Sequence, residues 1–89
     1  MVFSPFEIVY HPDVVHKDLP RLSVDVKQRI RIAIEKKLGI APHEFGAPLR
    51  RSLKGYWKLR VGDWRVIYKL ENTTVEVLRI GHRREVYDQ

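Results

Sequence analysis

The chain has no cysteine. Disulfides and thiolate-held zinc are therefore excluded. No run of apolar residues approaches the ~18 needed for a membrane-spanning helix. The start, Met1-Val2-Phe3-Ser4-Pro5-Phe6-Glu7, carries neither the basic cluster nor the long apolar stretch of a signal peptide. There is no phosphate-cradling glycine loop, no Ser/His/Asp pattern, no internal repeat and no low-complexity segment. His11, His16 and His43 fall in helix-start, helix and loop contexts without carboxylates at ligand spacing, so no metal and no cofactor is expected. Together these absences predict a cytoplasmic protein with no membrane partner.

What is present is a short basic chain. Its 89 residues make one domain, 1–89, and 44% hydrophobic against 31% charged content is that of a globular rather than a disordered protein. The net charge of +6 is unevenly spread. Residues 1–49 carry seven Lys/Arg against six Asp/Glu, whereas residues 50–89 carry ten against five. Such a field suits nucleic acid or an acidic protein partner, and it also suits a soluble protein of high pI.

The local patterns give an α+β order. Phe6–Tyr10 reads as a short strand. Pro12 suits the first turn of a helix that runs to about Leu19 before Pro20 stops it. Ser23 is placed to cap a second, longer helix. Val26, Ile30, Ala33, Ile34 and Leu38 form its apolar stripe, Lys36 and Lys37 favour its C-terminal dipole, and Gly39 ends it. Ile40–Gly55 is punctuated by Pro42, Gly46 and Pro48 and reads as a loop holding Arg50, Arg51 and Lys54. Then follow Tyr56–Val61, Gly62-Asp63, Trp64–Glu71, Asn72-Thr73 and Thr74–Gly81, a three-stranded antiparallel meander. The expected fold is an N-terminal strand and helical hairpin packed on this small antiparallel sheet, with a short C-terminal tail.

The first hairpin of the meander can be resolved residue by residue. A two-residue loop at Gly62-Asp63 pairs Val61 with Trp64, Arg60 with Arg65, Leu59 with Val66, Lys58 with Ile67 and Trp57 with Tyr68. Directly paired residues share a face. One face then holds Val61, Trp64, Leu59, Val66, Trp57 and Tyr68, and the helices should cover it. The other holds Arg60, Arg65, Lys58, Tyr56 and Lys69, with Ile67 among them. Like charges directly opposite each other cost stability, so Arg60 facing Arg65 reads either as an anion site or as two side chains splayed into screening solvent. The tail His82-Arg83-Arg84-Glu85-Val86-Tyr87 adds two arginines and a phenol.

The run Leu53-Lys54-Gly55-Tyr56-Trp57-Lys58-Leu59-Arg60-Val61-Gly62-Asp63-Trp64-Arg65-Val66-Ile67-Tyr68 resembles the central hairpin of the RelE/ParE toxin superfamily, and Ile80-Gly81-His82-Arg83-Arg84-Glu85-Val86-Tyr87 resembles its closing motif. The order of elements resembles that family over nearly the whole chain. The resemblance implies the toxin of a type II toxin–antitoxin system, of the RelE mRNA-interferase branch. Such a toxin is a ribosome-dependent, metal-independent endoribonuclease that inhibits translation by cutting mRNA in the ribosomal A site. The ribose 2′-hydroxyl attacks the adjacent phosphate and leaves a cyclic phosphate and a 5′-hydroxyl. The implied partners are a cognate antitoxin protein, the ribosome and mRNA, with operator DNA bound only through the antitoxin complex. A ParE-type inhibitor of DNA gyrase, or a relic that retains only antitoxin binding, shares the fold.

By motif position the resemblance puts the catalytic set on Lys58, Arg65, Arg83 and Tyr87. The family's second lysine, two residues before the first, is replaced here by Tyr56, and the tail between Arg83 and Tyr87 is two residues shorter than in the best-studied branch. The residue types suit in-line attack, which needs a base at the 2′-oxygen, charge stabilisation at the phosphate and an acid at the leaving oxygen. An unperturbed tyrosine has a pKa of about 10, with ~0.1% phenolate at pH 7, and neighbouring cations would raise that fraction. Tyr87 is thus a candidate base, or an aromatic that docks on the sheet. His82 is an alternative base or acid, or simply ends a strand. Arg50, Arg51, Lys54, Arg60, His82 and Arg84 form a candidate RNA-binding set; for the loop cations, solvated charge is the alternative. Each phosphate contact to a single strand would steepen the salt dependence by about 0.7.

Overall fold

A computed structural model describes residues 5–49 and 55–86 of the chain. Five strands make one sheet in the order β1-β5-β4-β3-β2. They are β1 (Glu7–Tyr10), β2 (Ala47–Pro48), β3 (Tyr56–Val61), β4 (Trp64–Glu71) and β5 (Thr74–His82). Strands β3, β4 and β5 form the expected meander. The sheet is mixed rather than purely antiparallel, because β1 pairs with β5 in parallel, Glu7 opposite Thr74 through Tyr10 opposite Val77. Both two-residue turns carry a residue in the left-handed region, Gly62 at φ 61° and Asn72 at φ 57°. Glycine and asparagine are the residues that adopt it at least cost.

The helical hairpin is present in adjusted form. Its first arm is a wide turn at Val14–Asp18 followed by a tight turn at Leu19–Arg21, so it runs through Pro20 instead of stopping there. Pro20 is tolerated because it sits in the first turn of that tight segment, where its missing N–H is not needed. The second arm, α1 (Val24–Ala33), starts where Ser23 accepts a hydrogen bond from the Val26 N–H. It continues as a wide turn, Ile34–Leu38, closed by the Gly39 N–H donating to Ile34 O.

The stretch read as a plain loop from Ile40 to Gly55 contains a short helix, α2 (Pro42–Phe45), and the edge strand β2. A buried Tyr68 hydroxyl donates to Pro42 O at 2.8 Å and holds α2 to the sheet. Burial pushes the Tyr68 phenol far up, so it stays a neutral donor. His43 on α2 meets the Trp57 ring edge-on at 5.4 Å, and Trp57 stacks on Tyr68.

One sheet face is the core face. Leu59, Val61, Val66, Tyr68, Val75, Val77 and Ile80 pack under Ile30, Ile34 and Leu38 of the second arm and Val14 of the first. This is the covered face expected from the hairpin register, with Trp57 and Trp64 at its margin.

A β-bulge between Ile67 and Tyr68 interrupts the β4–β5 register: Ile67 faces Arg79, but Tyr68 faces Val77, and Leu78 is the extra residue. Strict alternation from Val75 and Val77 would send Arg79 into the core. The extra residue reverses the phase, so Ile80 enters the core and Arg79 moves to the opposite face.

Beyond Tyr10 strand β1 no longer accompanies β5. There the Ile80 N–H donates to the Asp18 carboxylate at 2.8 Å, tying the first helical arm to the strand. Asp18→Ala is expected to leave that N–H without a partner beside a buried side chain, at a cost of about 1–3 kcal/mol. Urea denaturation checks it, with Asp18→Asn, which keeps an acceptor oxygen, expected to lose less.

Candidate active site

The face away from the helices carries the basic residues in the predicted register. Tyr56 lies opposite Lys69, Lys58 opposite Ile67, and Arg60 opposite Arg65. Across β4 the rows continue to Glu76, Arg79 and Gly81. Lys58 and Arg79 therefore flank Ile67 in one row, and Arg60 and Arg65 sit side by side in the next. Arg79 was missed in the sequence because its position depends on the bulge. The signal available was that Val77-Leu78-Arg79-Ile80 breaks alternation.

The sheet resolves the Arg60–Arg65 repulsion by geometry. Arg65 is 5% exposed, the one buried charged side chain among the described residues. Its Nη1 donates to Gly62 O and to Trp64 O, each at 3.0 Å, drawing the guanidinium toward the β3–β4 turn. Arg60 remains exposed. Lys69 lies 5.7 Å from the Tyr56 ring centroid, so this pair presents a cation over an aromatic face.

The same turn gathers the tail. The Arg83 N–H donates to Asp63 O at 2.8 Å, and Arg83 Nε lies 3.8 Å from Asp63 Oδ1. Arg65 and Arg83 thus converge on three consecutive residues, Gly62, Asp63 and Trp64. Arg84 is exposed, and its N–H donates to His82 Nδ1 at 3.2 Å. That hydrogen bond occupies the Nδ1 lone pair and leaves Nε2 to carry the proton of a neutral ring. The ring also packs edge-on against Trp64 at 5.4 Å.

After His82 the chain turns back onto the basic face. The Glu85 and Val86 N–H groups both donate to His82 O, and Val86 is buried. Val86 rests over Gly81, where a Cβ would lie 2.8 Å from its Cγ2, so only glycine leaves room for this close approach. Glu85 accepts from Arg21 Nη2 at 2.5 Å and from the His82 N–H at 3.2 Å. These bonds, the Arg21 one first, hold its carboxyl below the usual carboxylate range against a smaller opposing effect of burial, with the Arg21 and Arg79 charges adding to the lowering. A lowered folded value means that this stabilisation is fully present above the unfolded carboxylate range. It is lost only as pH falls through the depressed folded value.

The structure therefore places Lys58, Arg60 and Arg65 on one face of the sheet, with Arg83 and Arg84 in the turn at its end. His82 does not join them: it pairs with Trp64 and follows Ile80 by two residues, so alternation puts it on the helix-covered face. Arg50, Arg51, Lys54 and Tyr87 lie outside the described residues. Among the described residues no group of His, Asp and Glu is arranged to hold a metal ion. No helix among them is long and apolar enough to cross a membrane.

The chain and its fold have relatives. The profile of the family described as "ParE toxin of type II toxin-antitoxin system, parDE" matches residues 8–87. Toxin RelG of Mycobacterium tuberculosis is 44% identical over 48 residues, which are 52% of this chain and 55% of that protein. The chain thus spans about half the length of the curated relatives it matches. The crystal structure of the toxin–antitoxin complex RelBE2 from the same organism aligns with a TM-score of 0.81 at 28% identity, over 92% of this chain and 95% of that one. The RelB–RelE antitoxin–toxin complex from Methanococcus jannaschii shares the fold, with a TM-score of 0.71 at 21% identity over 90% and 95%. With a family profile covering nearly all of its length, the chain belongs to the ParE toxin family of type II toxin–antitoxin systems, within the RelE/ParE superfamily.

Proposed function

We propose that this toxin is a ribosome-dependent endoribonuclease that cuts mRNA in the A site. The observation that carries the reading is the convergence of Arg65 and Arg83 on the Gly62–Trp64 turn, beside Arg60, Lys58 and Arg79 on one sheet face. Fixed cations at that density suit a phosphodiester whose charge grows during attack. The arginine guanidinium groups among them offer paired N–H donors to phosphate oxygens. In the proposed reaction the 2′-oxygen bonds to phosphorus as the P–O5′ bond breaks. The 2′ proton passes to the Tyr87 phenolate, and Arg83 stabilises the departing 5′-oxygen, which is protonated from solvent water. No metal takes part in this reading. Lys58 and Arg65 hold the scissile phosphate, while Arg60 and Arg84, with Arg50, Arg51 and Lys54, contribute further backbone contacts.

The relatives named above are toxins, and two of the structural neighbours are toxin–antitoxin complexes, which supports a cognate antitoxin as partner. A cleft of about 510 Å³ between the two helical arms offers the place. It is lined by Tyr10, Val15, Leu19, Val24 and Ile34, and Lys27 and Arg31 lie along its rim. Exposed Val15 and Val24 suit the apolar face of an amphipathic helix; on the rim Arg31 is paired with Glu35, and Lys27 is left to meet an acidic residue beside that face. Operator DNA would be bound through the antitoxin.

A second reading, a poison of DNA gyrase, is favoured by two observations: the matching family profile is named for ParE, and Tyr56 replaces a lysine of the RelE pattern. Induced expression in a bacterium separates the two. Primer extension on a translated message is expected to give new 5′ ends inside codons, absent when the start codon is removed and lost in Tyr87→Phe. Growth arrest with intact message and a DNA-damage response would instead establish the gyrase poison, and no arrest would leave a protein that only binds its antitoxin.

A further inference from the structure

Glu85 uses every polar group it has, although it is exposed. Its N–H donates to His82 O at 2.7 Å, and its carbonyl accepts from Arg79 Nη2 at 3.3 Å. One carboxylate oxygen accepts from the His82 N–H and the other from Arg21 Nη2. These contacts reach two separate elements from the closing turn: strand β5, through His82 and Arg79, and the helical turn Leu19–Arg21. Arg21 and Glu85 lie 64 residues apart in sequence, so the contact ties the two ends of the fold together. An isolated surface ion pair would add little to stability. Four bonds from one residue, arranged around a single turn, instead fix where that turn sits.

The turn in question carries Arg83 and Arg84 and leads to Tyr87. Its other anchors are the Arg83 N–H on Asp63 O and Val86 packed over Gly81. Only Glu85 links it to the helical hairpin, among the hydrogen bonds described. We propose that Glu85, latched by Arg21, is a positioning residue of the active site: it sets the closing turn at the end of the sheet so that Arg83 meets the scissile phosphate. This rests on the nuclease reading for its chemistry but not for its geometry. Displacement of catalytic groups by about 1 Å can cost ~10²-fold in rate, so an exposed carboxylate with no contact to RNA can control turnover.

The test combines translation-dependent cleavage with amide hydrogen exchange of the purified toxin. Glu85→Ala is expected to lower kcat at least ~10-fold with KM within about twofold, and to speed exchange of the Glu85 and Val86 amides. Glu85→Gln, which keeps one acceptor oxygen but loses the other and the charge, should fall between Ala and the native protein. Arg21→Ala should reproduce part of the kcat loss, and the double variant should be no worse than Glu85→Ala alone, because both remove one latch. Gly81→Ala, which pushes Val86 off the face, should give the same kcat-weighted loss by an independent route. A Glu85→Ala protein that turns over like the native one, or whose loss lies wholly in KM, overturns the proposal. Should the native protein cut no message, the nuclease reading fails by itself. Exchange then still decides the latch: unchanged protection of Glu85 and Val86 in Glu85→Ala overturns it, and lost protection upholds it.

Discussion

Gly46→Ala is expected to unfold most of the protein's stability margin. A Cβ at Gly46 would lie 1.7 Å from Tyr68 Oη, 2.8 Å from Tyr68 Cζ and 3.0 Å from Lys58 O. None of these atoms can yield easily. Tyr68 is fully buried, stacked on Trp57, and fixed by its hydrogen bond to Pro42 O, while Lys58 O belongs to the sheet. Overpacking costs about 1–3 kcal/mol where neighbours can shift and more where they cannot. A loss above ~3 kcal/mol would take a large share of the ~5–15 kcal/mol typical of a domain and lower Tm by more than ~12 °C. Thermal and urea unfolding measure it directly. Tyr68→Phe alone should cost about 1 kcal/mol for the lost hydrogen bond. Because it also removes the closest clashing atom, the double variant Gly46→Ala/Tyr68→Phe should be more stable than Gly46→Ala alone. A double variant that is simply additive would show that α2 moves as a body instead.

The second large effect falls on activity and spares the fold. Arg83→Ala should reduce cleavage of translated message by ~10²–10³-fold, the scale of losing one donor aimed at developing charge. Stability should change by less than about 0.5 kcal/mol. The reason is that the main chain, not the side chain, anchors this residue: its N–H holds Asp63 O, while the guanidinium is more than half exposed and only 3.8 Å from a carboxylate oxygen. Arg83→Lys should recover part of the rate, since it keeps the charge but loses the planar fork. Arg65→Ala makes the contrast, because its guanidinium is buried and bonded to Gly62 O and Trp64 O. It should lower both rate and Tm. Circular dichroism melts beside primer extension separate the two classes.

Much of the fold was legible because short-range chemistry fixes it. The two-residue turn at Gly62-Asp63 sets the β3–β4 register, and every pair deduced from it is found. Ser23 announces the start of α1 through its capping oxygen. What was hidden depends on partners far away in sequence. The parallel pairing of β1 with β5 leaves no local mark. Helix α2 is masked by the proline and glycine that bound it, although Pro42 at its first turn and Gly46 just beyond its end are what such a helix requires. Of the site, the shared face of Lys58, Arg60 and Arg65 could be read from pairing alone. Arg79 could not, because one extra residue reverses the alternation. The burial of Arg65 and the grip of Arg21 on Glu85 arise only when the turn and the helical hairpin meet the sheet.

The parallel contact between β1 and β5 also orders events in time. The hairpins β3–β4 and β4–β5 join neighbours across two-residue turns and can close quickly, whereas β1 must find β5 across almost the whole chain. Closing so long a loop carries an entropic cost that local pairs avoid, so β1 should dock late. Until it does, the β5 edge that ends up against Ile8 and Tyr10 stands open, with Val75 and Val77 along it, and an open edge of that kind invites another strand. Folding yield should therefore depend on concentration during refolding more steeply than the stability of the finished protein suggests.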